Sequence, residues 1–190
     1  MKKKKKTTTT KKKTARGTAT GTRSGVRYGI GLSGLGAVLV ARTPKGVCAI
    51  LLGDSARDVE REVRERFPGA TADTSDPELT ALVAASVSLV ERPGTRFTPA
   101  LDLGGTPFQR RVWQALREVP AGSTTTYSAL AERLGAPRSA RAVGGACAAN
   151  PIAVAVPCHR VLRTDGTLSG YRWGLHRKRE LLERERGRAA

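Results

Sequence analysis

Acidic residues are scarce in this sequence, and the first 23 positions hold none. Against 16 Asp and Glu stand 34 Lys and Arg, a formal net charge of +18. Residues 1–23 contribute eight lysines, Arg16 and Arg23, or +10. The other 167 residues hold 24 basic and 16 acidic side chains, or +8. A body that is basic even without its arm points to nucleic acid, bound with salt-sensitive affinity. Cysteine is rare too: only Cys48, Cys147 and Cys158. An odd number without a signal peptide argues against a secreted disulfide framework and for a reducing cytoplasm. These thiols and the two histidines, His159 and His176, form no cluster of zinc-ligand spacing, so no structural zinc is expected. The apolar runs are too short to span a bilayer, which excludes a membrane partner. Aromatics make up 4% of the chain and hydrophobic residues 39%, so the core is built mainly from Ala, Val and Leu.

Composition divides the chain. Residues 1–23, almost all Lys, Thr, Gly and Arg, read as a disordered basic arm. Residues 24–103 read as an α/β unit. Residues 37–41 and 47–52 are expected strands around the turn Thr43-Pro44-Lys45-Gly46. Ser55 with Asp58 starts a charged helix running to Phe67. Asp76 followed by Pro77 starts another, which ends near Glu91. Cys48, inside an apolar strand, is a buried structural thiol. The run Leu103-Gly104-Gly105 marks a boundary, and residues 104–190 form a second unit.

This second unit carries the chemistry. Thr106-Pro107 opens a helix with Phe108, Val112, Trp113 and Leu116 on one face. A short helix after Thr126-Tyr127 is closed by Gly135. A tight turn then leads to a helix at 139–149, giving a helix-turn-helix pair. The second helix is slim: Ala140, Ala142, Gly144, Gly145, Ala146, Ala148 and Ala149. Major-groove readers carry several long polar side chains. This one offers Arg141 alone, which suits close approach to a narrow groove.

Residues 152–156 are apolar and read as a short buried strand that Pro157 terminates. Cys158 follows at the corner, with His159 beside it, where an imidazole can share the thiol proton. Glycines 166, 170 and 174 make a flexible loop. A last helix at 175–186 sets Leu175, Lys178, Leu182 and Glu185 on one face. A carboxylate among leucines needs a partner.

These motifs together resemble the O6-alkylguanine-DNA alkyltransferases, also called methylated-DNA–protein-cysteine methyltransferases, and within that family the C-terminal half of the Ada-type members. The motifs are Pro157-Cys158-His159-Arg160-Val161, Arg141-Ala142-Val143-Gly144, Asn150-Pro151, Thr126-Tyr127, and Leu168-Ser169-Gly170-Tyr171-Arg172-Trp173-Gly174. The resemblance spans about residues 26–186. It implies a ribonuclease-H-like N-terminal α/β domain and a C-terminal winged-helix-like helix-turn-helix DNA-binding domain. It implies a monomer that binds the minor groove of double-stranded DNA containing O6-alkylguanine and flips the damaged base out. Cys158 is then the alkyl acceptor. His159 relays its proton through a water toward Glu185, and Asn150 braces the turn. Tyr127 hydrogen-bonds the base. Arg141 enters the duplex, and Val161, Ser169, Tyr171 and Arg172 line the guanine pocket. Thr126, Arg138, Ser139 and Arg141 face DNA. Once alkylated, Cys158 is a thioether and the protein is spent, with neither metal nor organic cofactor needed; the resemblance extends the substrates to O4-alkylthymine. The cysteine-rich sensor and regulatory segments of the Ada-type members have no counterpart among these 190 residues. The alternative class is a DNA-binding regulator of transcription whose Cys158 senses oxidants or alkylating agents.

Overall fold

The computed structural model describes residues 23–187, so residues 1–22 of the basic arm lie outside the described residues. Three antiparallel strands open the fold: β1 (Arg27–Ser33), β2 (Gly36–Thr43) and β3 (Gly46–Gly53). A two-residue strand, β4 (Thr71–Ala72), joins β1 in parallel, giving the order β3-β2-β1-β4. The two apolar runs read from sequence are the hearts of β2 and β3, and both are fully buried. The turn between them brings Gly46 so near Ala100 that a Cβ would lie 2.3 Å from its carbonyl oxygen, at φ +131. Only glycine fits there.

β1 was not foreseen. Its sequence, Arg-Tyr-Gly-Ile-Gly-Leu-Ser, lacks a strong strand signature because two glycines interrupt it. They are needed: a Cβ on Gly31 would sit 2.8 Å from Val87 and 2.9 Å from Val83. Both valines belong to α2 (Pro77–Glu91), which packs closely over β1. Asp76 caps α2 by accepting from the amides of Glu78 (2.9 Å) and Leu79 (3.2 Å). α1 (Ala56–Arg66) packs on β2 and β3 and starts at Ser55, whose Oγ accepts from Asp58 N at 3.3 Å.

The C-terminal half begins with α3 (Pro107–Arg117). A reciprocal capping box between Thr106 and Gln109 starts it, and Val112, Trp113 and Leu116 are buried. α4 (Tyr127–Arg133) ends at Gly135, φ +69. A one-turn 3₁₀ helix (Pro137–Ser139) then leads into α5 (Ala140–Ala148), completing the expected helix pair. Trp113 Nε1 donates to Ala146 O at 2.8 Å, tying α3 to α5. β5 (Thr125–Thr126) and β6 (Val161–Leu162) form a small parallel pair. α6 (Leu175–Arg186) closes the fold. Among the described residues no helix is long and apolar enough to cross a membrane.

Two sequence expectations fail. Residues 152–156 are not a strand: only Ile152 bridges to a neighbour, and the chain then turns back on itself. Val156 N donates to Ile152 O at 3.1 Å, and Val154 lies at φ +63. A β-branched residue there is a strained outlier, tolerated only where surroundings fix it. Burial on all sides, rather than strand pairing, explains the apolar run. Leu175 does not share the buried face of α6 either; it is 46% exposed at the first position of the helix.

The two halves are joined by the segments that carry the site. Pro151 O accepts from Ile50 N at 3.0 Å, and Ala153 N donates to Ile50 O at 2.9 Å. The turn before Cys158 is therefore docked on the open edge of β3. Buried Arg177 of α6 donates to Leu35 O (2.8 Å), Trp173 O (2.8 Å) and Asp54 Oδ1 (2.5 Å).

Candidate active site

Asn150 organises the turn that presents the thiol. Its amide nitrogen donates to Ile152 O (3.3 Å), Val156 O (2.8 Å) and Cys158 Sγ (3.2 Å), and its oxygen accepts from Ile152 N (3.0 Å). The side chain is fully buried. It satisfies backbone groups that a turn inside the core would otherwise leave unpaired. Asn150→Ala leaves Ile152 N without its partner, at about 1–3 kcal/mol, while the carbonyls of Ile152 and Val156 each keep a backbone donor. We expect the urea midpoint to fall by the equivalent of about 1–3 kcal/mol. Loss of the N–H beside sulfur also disfavours the thiolate.

Pro157 ends the turn, and Cys158 opens a one-turn 3₁₀ helix (Cys158–Arg160). The thiol, 5% exposed, is at the floor of a cavity of about 400 Å³. Gly144, Cys147 and Ala148 of α5 form one wall. Their spacing of three and four places them on one helix face. Two of the small residues of α5, Gly144 and Ala148, therefore make room for the cavity. Tyr127 and the loop residues Gly170, Tyr171 and Arg172 complete the lining.

Behind the thiol lies a buried polar cluster. His159 Nε2 is 2.9 Å from Glu185 Oε1, and both side chains are wholly buried. Arg160 clamps the same carboxylate: Nε donates to both oxygens (3.1 and 3.0 Å) and Nη2 to Oε1 (2.7 Å). Its Nη1 donates to Val119 O at 2.5 Å, and Gly122 N reaches Glu185 Oε2 at 3.2 Å. Burial alone would raise the pKa of Glu185, but the bonds from His159 and Arg160 outweigh it and hold the carboxyl at about 2. Burial lowers the pKa of His159, with Glu185 opposing. The ring is then neutral at pH 7. An ionised Glu185 can only accept, so Nε2 carries the hydrogen and Nδ1 is the basic nitrogen. His159 Nδ1 has no protein partner among the described residues.

The thiol itself is not activated at rest. Burial raises its pKa to about 11, against the lowering effects of Asn150 and Lys178. Lys178 was read only as a face residue of α6. It is fully buried and donates to Val161 O (2.6 Å) and Ser169 Oγ (3.1 Å). Ser169 Oγ is in turn 2.6 Å from Tyr127 Oη. A hydrogen-bonded line thus runs from α6 to the cavity wall. A lysine at helical spacing from Leu181, Leu182 and Glu185, all inward, was the available signal for this.

The structure brings together Cys158, His159, Glu185, Asn150 and Tyr127. Tyr171 and Arg172 line the cavity, whereas Val161 and Ser169 sit behind it as buried acceptors for Lys178. Arg138, in the turn before α5, and Arg141, in its first turn, are exposed, and Ser139 is half-buried with no capping bond. Thr126 caps α4, its Oγ1 accepting from Ala129 N at 3.1 Å. The side chain of Arg172 is held at the mouth of the cavity by Glu62 of α1, Nε to Oε1 2.7 Å.

Residues 107–187 match the family model described as "6-O-methylguanine DNA methyltransferase, DNA binding domain". The chain is 48% identical over 151 residues to the bifunctional transcriptional activator/DNA repair enzyme Ada of Escherichia coli, covering 80% of this chain and 43% of that one. It is 48% identical over 122 residues to the methylated-DNA–protein-cysteine methyltransferase of Mycobacterium bovis, covering 64% of this chain and 69% of that one. The crystal structure of Mycobacterium tuberculosis OGT in complex with DNA is similar throughout: TM-score 0.70, 36% identity, 85% of this chain and 94% of that one. The chain thus spans less than half the length of the Ada relative and most of the length of the other two.

Proposed function

We propose, from the premise that the chain belongs to the methylated-DNA–protein-cysteine methyltransferase family, that it repairs O6-alkylguanine in DNA by moving the alkyl group irreversibly to Cys158. The observation that carries this is a thiol at the floor of a base-sized cavity, backed by a buried imidazole–carboxylate pair. The O6 atom of a stacked guanine is out of line for a protein thiol, so the base must be rotated out of the duplex. With the base in the cavity, the thiol proton passes through a water to His159 Nδ1. Glu185 stabilises the imidazolium that forms. The sulfur attacks the alkyl carbon, the S–C bond forms, and the C–O6 bond breaks. Guanine leaves as an anion stabilised by a hydrogen bond from Tyr127 and takes its proton from water, while the proton held by His159 returns to solvent. The thioether has no proton to lose and is a poor leaving group, so each molecule acts once.

The same reading assigns the finer architecture. Residues 24–103 form the ribonuclease-H-like domain and 104–190 the winged-helix-like domain, whose α4–α5 pair lies in the minor groove. The protein acts as a cytoplasmic monomer, since a sacrificial thiol needs a reducing compartment. A redox sensor is the weaker reading. A buried thiol raised to about 11 lacks the exposed thiolate that peroxide requires.

Duplex DNA containing O6-methylguanine tests the proposal. The protein gains the mass of one methyl group and the reaction stops at one equivalent. No gain, or repeated turnover, overturns it. Arg141 separates extrusion from chemistry. Arg141→Ala slows repair of duplex DNA but reacts near-normally with free O6-benzylguanine. Equal slowing on both would remove Arg141 from the extrusion step.

A further inference from the structure

The ion pair between Arg172 and Glu62 joins the mouth of the cavity to α1, 110 residues away in the chain. Arg172 Nη1 also reaches Ala148 O at 3.5 Å, so the guanidinium lies between the end of α5 and α1. Glu62 has a second neighbour. Arg66, one turn further along α1, brings Nη2 to 4.0 Å of the same oxygen. Its side chain is only 8% exposed, and its Nε has no protein partner among the described residues. One carboxylate therefore serves two arginines. Burial first, and then the charge of Arg172, lower the pKa of Arg66 to about 10.

This pair does little to hold the fold together. The side chains of Arg172 and Glu62 are 34% and 22% exposed. Pairs so accessible to water contribute about 0–1 kcal/mol. Buried Arg177, bonded to Leu35 and Asp54, does more to fasten α6 to the sheet. The pair is thus cheap to break, and it stands where a nucleotide must enter.

A base that occupies the cavity remains joined through its sugar to two phosphates, and these must come to the rim. We infer that Arg172 is a phosphate contact held in reserve by Glu62, exchanged from the carboxylate to the DNA backbone when the damaged nucleotide enters. The inference rests on the reading of this cavity as the base pocket. An arginine fork suits either partner, since it can meet a carboxylate or a phosphate with two parallel hydrogen bonds. Arg66 makes the exchange possible. After Arg172 departs, Glu62 still has a buried guanidinium beside it, so no bare carboxylate is left facing DNA.

The test is salt-dependent binding of duplex DNA containing O6-methylguanine, followed by fluorescence anisotropy. Every protein carries Cys158→Ala so that the DNA is not consumed. Glu62→Gln frees the arginine and binds several-fold more tightly at low salt. Arg172→Gln binds more weakly, and its log–log salt slope is shallower by about 0.9, the value of one phosphate contact. In the double variant the gain from Glu62→Gln disappears, because it acts through Arg172. A gain that survives without Arg172 overturns the exchange, as does a slope unchanged in Arg172→Gln. Methyl uptake by the protein with Cys158 intact is measured in parallel. No uptake defeats the base-pocket reading itself; normal uptake with an unchanged slope defeats only the exchange.

Discussion

Cys158→Ala should take up no methyl group from O6-methylguanine DNA, while Cys147→Ala should take up one, as proposed for the unaltered protein. Both thiols line the same cavity, so proximity to the base does not choose between them. Their surroundings do. Cys158 receives an N–H from Asn150 at 3.2 Å and feels the charge of Lys178, both favouring the thiolate. His159 follows it directly in the chain. Cys147 is raised by burial and further by Cys158, with Lys178 alone opposing. A thiol attacks only as thiolate, so Cys147 has no route to the reactive form at neutral pH. The expected contrast is all or nothing, and intact-protein mass spectrometry reads it directly. Methyl uptake by Cys158→Ala on Cys147 would mean that the cavity alone activates sulfur, and the relay would lose its purpose.

The parts of the fold that were legible in sequence announce themselves locally. Ser55, Asp76 and Thr106 start helices because their side chains replace missing backbone partners within three residues. β2 and β3 are continuous apolar runs because both of their faces are covered. β1 was hidden because its glycines answer to α2, which lies some fifty residues ahead. Residues 152–156 misled for a related reason. Full burial makes a turn as apolar as a strand, and what distinguishes them is the set of bonds from Asn150.

The site divides in the same way. Cys158, His159 and Asn150 stand close together in sequence, and Glu185 betrayed itself as an acid on an apolar face. Arg160 looked like a motif letter, yet it fixes the charge of Glu185 by a double hydrogen bond. Lys178 and Glu62 left weaker traces, because their partners come from other elements. Gly144 and Ala148 read in the sequence as slimness for the groove, when one face of α5 is also a cavity wall.

Glu185→Gln should cost both chemistry and stability, in ways that pH separates. The variant keeps an oxygen to accept from His159 but leaves Arg160 buried without its anion. Breaking a buried pair in this way costs about 3–5 kcal/mol. The neutral amide also cannot stabilise an imidazolium. Transfer by the folded fraction should slow by about 10²–10⁴-fold, the contribution of a positioned general base. Rate constants from single-turnover mixing, corrected for the folded fraction, check this. A near-normal rate would remove His159 and Glu185 from the proton path. Acid titration gives the independent readout. The folded protein holds His159 below its ordinary 6.5, so stability begins to fall as the pH drops through 6.5 and the unfolded histidine takes up a proton. The folded protein also holds Glu185 at about 2 against an ordinary 4.5, so that contribution is complete above 4.5 and is lost as the pH falls toward 2. Both act in one direction, and acid destabilises in two stages. Glu185→Gln has no carboxyl to protonate, so its lower stage should shrink to what the lowered carboxyls of Asp58, Asp73 and Asp165 contribute. If that stage persists unchanged in the variant, another carboxylate is responsible and Glu185 is not the group that His159 and Arg160 keep ionised.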